Sequence, residues 1–183
     1  MEKYFRVHNN GVLSVPSGVV DIMDPSYEQD CWCAMTGVSV RKGDYISLSY
    51  YANDFYGWGR RTAILQMVHE DYFHKIDTSD KAQWEELGSV GVDAGLMSIS
   101  QSPKPDYSDQ QWQKFCKITD GPNKRLGTIQ KIQNKPILVS SSGIGDGYYP
   151  VFCLRNSEKE IVAVEIRFTA HPFLCGDEES EVS

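Results

Sequence analysis

The stretch Ile161–Phe168 constrains the fold more than any other part of the chain. Val162, Val164, Ile166 and Phe168 alternate strictly with Ile161, Ala163, Glu165 and Arg167. Successive side chains of a strand point to opposite faces, so this pattern predicts a strand with one face on a core. Tyr45–Tyr51 repeats it, with Ile46, Leu48 and Tyr50 against Tyr45, Ser47 and Ser49, after a turn at Lys42-Gly43-Asp44. That spacing suits a half-buried strand. Val12–Val20 is apolar but interrupted by Pro16 and Gly18, which reads as strand, turn, strand. Thr62–Val68, Ile137–Ser140 and Tyr149–Leu154 add further short strands, and Asn156–Lys159 is a polar turn joining the last two as a hairpin.

Helical signals are few. Ser108 followed by Gln111 is a capping-box pattern, and Trp112, Phe115 and Cys116 then share one face. The spacing predicts a helix over Asp109–Ile118 and a second short one over Asp80–Leu87, with Trp84 and Leu87 turned inward. Many strands, few helices and no βαβ alternation give an α+β, mostly β fold. We expect a single domain of short antiparallel strands over residues 1–175, followed by an acidic, disordered tail at 176–183.

Charge and cysteines narrow the function classes. The 183-residue chain carries a net charge of −7. Four of those charges belong to Asp177, Glu178, Glu179 and Glu181, so the body holds only −3. Neither figure favours a nucleic-acid surface, which rewards Lys and Arg. No run approaches the roughly 18–20 apolar residues of a spanning helix. Met1–Arg6 has no apolar h-region, so no secretory signal is expected. The five cysteines, Cys31, Cys33, Cys116, Cys153 and Cys175, make a poor disulfide framework. They point to a reducing, cytoplasmic compartment. Cys31-Trp32-Cys33 lacks the second pair that structural zinc wants, so no metal is assigned. Cys116 and Cys153 read as small buried hydrophobes.

Two glycine-rich segments are the candidate chemistry. Ser140–Gly147 places Gly143, Gly145 and Gly147 around Asp146, after Ser142 and before Tyr149. Such a loop either closes a tight turn or presents consecutive N–H groups to an anion. It lacks the following helix of a dinucleotide site and the Lys of a P-loop. In Val90–Met97, Asp93 sits among small and apolar residues and is expected to be partly buried. A buried carboxylate needs partners, so Asp93 either caps local backbone or binds a cation or substrate. The histidines His8, His69, His74 and His171 form no set, and the serine run lacks the frame of a nucleophile elbow.

Taken in order, Pro16-Ser17-Gly18 with Asp24-Pro25, then Lys42-Gly43-Asp44-Tyr45, then Gly91-Val92-Asp93-Ala94-Gly95, then Ser142–Pro150 form a motif series. The series resembles the domain of unknown function 4241 family, over about residues 12–168. The resemblance implies a compact, intracellular, mainly bacterial domain without an assigned activity. It implies that Asp93 and Asp146 are pattern residues with a shared structural or binding role.

Two functions are consistent with these observations. One is a non-catalytic binding domain, such as a toxin antagonist or a defence-related accessory protein. Its expected interface is Phe55, Tyr56, Trp58 and Arg60, residue types that anchor interfaces. The other is a metal-assisted or acid–base hydrolase using Asp93 and Asp146 beside the glycine loop. A protein partner is expected, with no nucleic acid and no membrane. No cofactor is assigned.

Overall fold

The alternating segments become strands of two antiparallel sheets. The computed structural model describes residues 6–29, 31–52, 57, 59–78, 80–119 and 126–169. One sheet has six strands: β1 (Arg6–Val15), β4 (Gly43–Ala52), β5 (Arg61–His69), β6 (Glu85–Val92), β10 (Gly147–Arg155) and β11 (Ile161–Arg167). Their spatial order is β1-β4-β5-β11-β10-β6. The other has five: β2 (Val19–Met23), β3 (Met35–Ser39), β7 (Leu96–Gln101), β8 (Thr128–Ile132) and β9 (Lys135–Ser141), in the order β3-β2-β7-β9-β8. Among the described residues one α-helix, α1 (Asp109–Thr119), completes a mostly β, α+β fold.

A single apolar cluster joins the sheets. Leu13, Tyr45, Leu65, Met67, Val151, Val164 and Ile166 of the first sheet pack with Val20, Ile22, Met97, Ile99 and Leu138 of the second. Part of each sheet's other face is covered as well. Trp84, Phe73 and Ile76 lie over Val68, Leu154 and Ala163 of the six-stranded sheet. Tyr107 and Trp112 lie over Ile132, Ile137 and Val139 of the five-stranded sheet.

This second covering changes what alternation means here. β11 is buried along its whole length, so the face carrying Glu165 and Arg167 is as dry as the face carrying Val164 and Ile166. Glu165 has no exposure; it accepts hydrogen bonds from Arg167 Nε at 2.6 Å and from Gln66 Nε2 at 2.9 Å. The Arg167 guanidinium lies 3.6 Å above the Phe152 ring. A buried carboxylate persists only with such partners. In β4 the inner side is Tyr45, Ser47 and Ser49, all fully buried, while Ile46 and Tyr50 are only half-buried. Ser47 and Ser49 pair across to Met67 and Leu65, so the strand faces the core with its serines.

The predicted helix at Asp109–Ile118 is α1, with its capping box formed. The Ser108 N–H donates to Gln111 Oε1 at 2.9 Å, and the Gln111 N–H reaches Ser108 Oγ at 3.4 Å. The second predicted helix, at Asp80–Leu87, is not formed. It shrinks to one 3₁₀ turn at Lys81–Gln83, and Leu87 belongs to β6. Pairing with β10 overrides the local pattern, and Gly88 at φ +145° breaks any helix there. Trp84 is buried as expected, its indole N–H donating to the Thr78 carbonyl. The Asn156–Lys159 turn forms between β10 and β11, with the Asn156 N–H bonded to the Glu160 carbonyl. Among the described residues no helix is long and apolar enough to cross a membrane. The acidic segment 176–183 lies outside the described residues.

Candidate functional site

Strand pairing in both sheets brings the two glycine-rich segments together. Leu96 opens β7 opposite Ser141 at the end of β9, and Val92 ends β6 opposite Gly147 at the start of β10. The connections Asp93-Ala94-Gly95 and Ser142–Asp146 therefore share one end of the sandwich. The Ser142 N–H donates to the Gly95 carbonyl at 3.0 Å. Gly143 sits at φ +68°, and a Cβ there would meet Phe168 Cβ at 2.7 Å and the Thr62 carbonyl at 2.9 Å. Close approach of three backbones requires glycine at this point.

The side chains divide into those that hold the loop and those that face solvent. Ser142 is buried, and its hydroxyl donates to the Gly145 carbonyl at 2.6 Å. The Tyr149 hydroxyl donates to the same carbonyl at 2.7 Å, and burial pushes its phenol up from the ordinary value. Asp146 is exposed. Asp93 is exposed as well, which corrects the expectation of burial. Its turn directs the backbone N–H inward and leaves the carboxylate in water.

The buried carboxylate of this region is Asp24, with no exposure. One oxygen accepts from the Ser26 N–H at 2.8 Å and the Ser26 hydroxyl at 2.7 Å. The other accepts from the successive N–H groups of Asp93 at 2.8 Å and Ala94 at 2.6 Å. Consecutive amides converging on one anion form a nest. Here the anion is the protein's own. Asp21, on β2 just before it and equally buried, accepts from Gly37 N–H at 2.9 Å, Lys104 N–H at 2.9 Å and Gln29 Nε2 at 2.6 Å. The sequence signal for Asp24 is Asp-Pro-Ser, where a carboxylate reaches the N–H two residues on.

Three segments of the motif series are thus one hydrogen-bonded chain. Asp24 holds Asp93 and Ala94, Gly95 accepts from Ser142, and Ser142 and Tyr149 both close on Gly145. Lys42-Gly43-Asp44-Tyr45 lies elsewhere, at the turn where Gly43 passes the His69 ring.

A cavity of about 410 Å³ opens where the loops meet. Gly95, Gly143, Ile144 and Gly145 line it together with Arg61 and Lys117. Among the described residues that line it two are cations and none is a carboxylate, which suits an anion. Neither Asp93 nor Asp146 lines it, although their neighbours Ala94 and Gly145 do. Cys116, expected as a buried hydrophobe, is half-exposed on this wall, whereas Cys153 has no exposure. Sequence reading did not single out Arg61 or Lys117 for this role. They join the site only through the start of β5 and the last turn of α1.

A second exposed feature surrounds Cys31-Trp32-Cys33. The Gly91 N–H donates to the Cys33 carbonyl at 2.9 Å, fastening this turn along the β6 edge. Trp32 is 83% exposed, and its ring centroid lies 6.1 Å from that of Tyr148, itself 61% exposed. Cys31 and Cys33 are unbridged, with Sγ atoms 3.1 Å apart. Among the described residues no group of three or more His, Cys, Asp or Glu side chains is placed to hold a metal. Of the interface expected from sequence, Phe55, Tyr56 and Trp58 lie outside the described residues. Arg60 is half-buried, its guanidinium 5.2 Å from the Tyr51 ring centroid. The pairing of Trp32 with Tyr148 had no local signal, because it depends on β6 and β10 being neighbours.

No family model, no curated protein and no solved structure matches the chain.

Proposed function

We propose that this protein is a non-catalytic binding domain that docks a protein partner through Trp32 and Tyr148. The observation that carries the reading is the exposure of the two rings side by side on a turn fastened to a sheet edge. Aromatic side chains dominate interface energetics, and rigid mounting lowers the ordering cost of using them. Covering on the order of 200 Å² of this surface would contribute about 5 kcal/mol before the costs of association. A toxin antagonist or defence-related accessory protein fits this role. Membership of the domain of unknown function 4241 family is proposed with it and rests on the motif series alone. A cytoplasmic location is supported by unbridged Cys31, Cys33, Cys116 and Cys153.

The test compares the wild-type chain with the Trp32→Ala/Tyr148→Ala variant as bait in the same lysate, followed by titration of each purified partner. Truncating two central anchors of about 2 kcal/mol each should weaken binding at least 100-fold without changing the melting temperature. A partner that binds both baits equally would overturn the reading.

The Arg61 and Lys117 pair favours a second reading, in which the cavity beside the glycine loops holds a small anion; hydrolase-type chemistry by Asp93 and Asp146 would have to act from outside its lining. Phosphate, with or without Mg²⁺, Ca²⁺ or Zn²⁺, should then raise the thermal midpoint, because it binds only the folded state. An unchanged midpoint under every condition would refute it.

A further inference from the structure

We propose that Cys31 and Cys33 form a thiol–disulfide exchange site that reduces small-molecule disulfides and closes reversibly into a Cys31–Cys33 bridge. The two Sγ atoms already lie 3.1 Å apart, against about 2.05 Å in a disulfide, so closure needs a movement of about 1 Å. The backbone favours that approach. Ala34 N–H bonds the Cys31 carbonyl at 3.0 Å, folding residues 31–34 into a turn that points both thiols the same way. The Cys33 carbonyl is tied to Gly91, so one end of the pair is fixed to the sheet.

The two thiols differ in access. Cys31 is half-exposed and can meet a disulfide from solution; Cys33 is buried. Burial first, and the contact with Cys31 second, push the Cys33 thiol above its ordinary value, while its hydrogen bond with Tyr27 pulls the other way. Cys31 is therefore the attacking sulfur and Cys33 the resolving one. In the first step the Cys31 thiolate attacks one sulfur of RSSR, forming Cys31–S–S–R and releasing RS⁻. In the second, Cys33 loses its proton and its sulfur attacks the Cys31 sulfur, expelling the second RS⁻. The released thiolates take up the two protons. One protein dithiol is oxidised and one RSSR is reduced to two RSH.

Thiol exchange at this pair is independent of Trp32 as a binding residue, and its test needs no partner. The full chain is incubated with oxidised glutathione, blocked with an alkylating reagent and mapped by mass spectrometry. The expected result is a Cys31–Cys33 linked peptide and the loss of two alkylatable thiols per chain, restored by reduced glutathione. Cys33→Ser should instead retain glutathione on Cys31. Full alkylation of both residues, a stable glutathione adduct on wild-type Cys31, or a bridge to any other cysteine would overturn the proposal. The decisive comparison uses the wild-type chain, so misfolding of the variant leaves the result intact.

Discussion

Replacing Asp24 should destabilise the protein far more than replacing Asp93, although Asp93 is the residue that sequence reasoning singles out. The Asp24 carboxylate is buried and accepts four hydrogen bonds, two at each oxygen. Asp24→Asn keeps one carbonyl oxygen and turns an NH₂ toward the remaining donors. If the oxygen stays with Ser26, the amides of Asp93 and Ala94 lose their acceptor and face another donor. Hydrogen bonds to a charged acceptor contribute about 1.5–3 kcal/mol each. The Asp93–Ala94 turn is exposed, so water can satisfy part of that loss. We therefore expect about 2–4 kcal/mol, a large share of a typical domain's roughly 5–15 kcal/mol. For a chain of this size, 3 kcal/mol corresponds to a fall of about 6–12 °C in Tm.

The assay is urea denaturation of wild type, Asp24→Asn and Asp93→Asn, with amide hydrogen exchange at residues 93 and 94. Asp93→Asn removes only an exposed charge and should stay within about 0.5 kcal/mol of wild type. The two amides should exchange faster in Asp24→Asn and unchanged in Asp93→Asn. An Asp24→Asn variant within 0.5 kcal/mol of wild type, or a larger effect from Asp93→Asn, would refute the account of this end of the sandwich.

Three further outcomes follow from the same geometry. Ser142→Ala and Tyr149→Phe each remove one donor to the Gly145 carbonyl and should cost about 1 kcal/mol, with the double variant departing from additivity because both use one acceptor. Gly143→Ala should cost about 2–4 kcal/mol, through left-handed strain plus collision with Phe168 and the Thr62 carbonyl, whereas Gly145→Ala, with open space around it, should cost about 1 kcal/mol; thermal melts separate them. Asn156 and then Arg41 hold the Glu160 carboxyl below its usual range. That support is complete above the unfolded carboxylate pKa of about 4.3 and is lost as pH falls through the lower folded value, so the denaturation midpoints of wild type and Glu160→Gln should converge in acid.

β1, β2, β4, β5, β9, β10 and β11 were legible because they are set by local alternation and turn chemistry, and the Asn156 turn and the Ser108 cap by side chains a few residues apart; β3, β6, β7 and β8 were not, because pairing with neighbours distant in sequence makes them strands. The faces were less legible. Ser47 and Ser49 point into the core because β4 neighbours β5, a fact no window of seven residues contains. The lost helix at Asp80–Leu87 has the same cause, since β10 recruits those residues into a sheet. At the candidate site the glycines are legible from conformational need, but the buried carboxylate is not. Asp93 stands in an apolar run and looks buried. Asp24 ends a strand and its role needs a partner 69 residues away.

That separation bears on how the motif series should be read. Its glycines, Asp24, Ser142 and Tyr149 close one end of the sandwich, the side chains being spent on backbone amides and carbonyls. Asp24 saturates the Asp93–Ala94 nest, so those amides are not open to a ligand. The anion-suited space left at this end is the cavity beside them, which Arg61 and Lys117 line. These two side chains lie outside the motif series. The series therefore specifies the scaffold, while any ligand at this end is selected by residues that β5 and α1 deliver to its rim. The same division holds on the β6 edge, where Gly91 fixes the backbone of Cys33 and the solvent-facing Trp32 is left to meet whatever docks there.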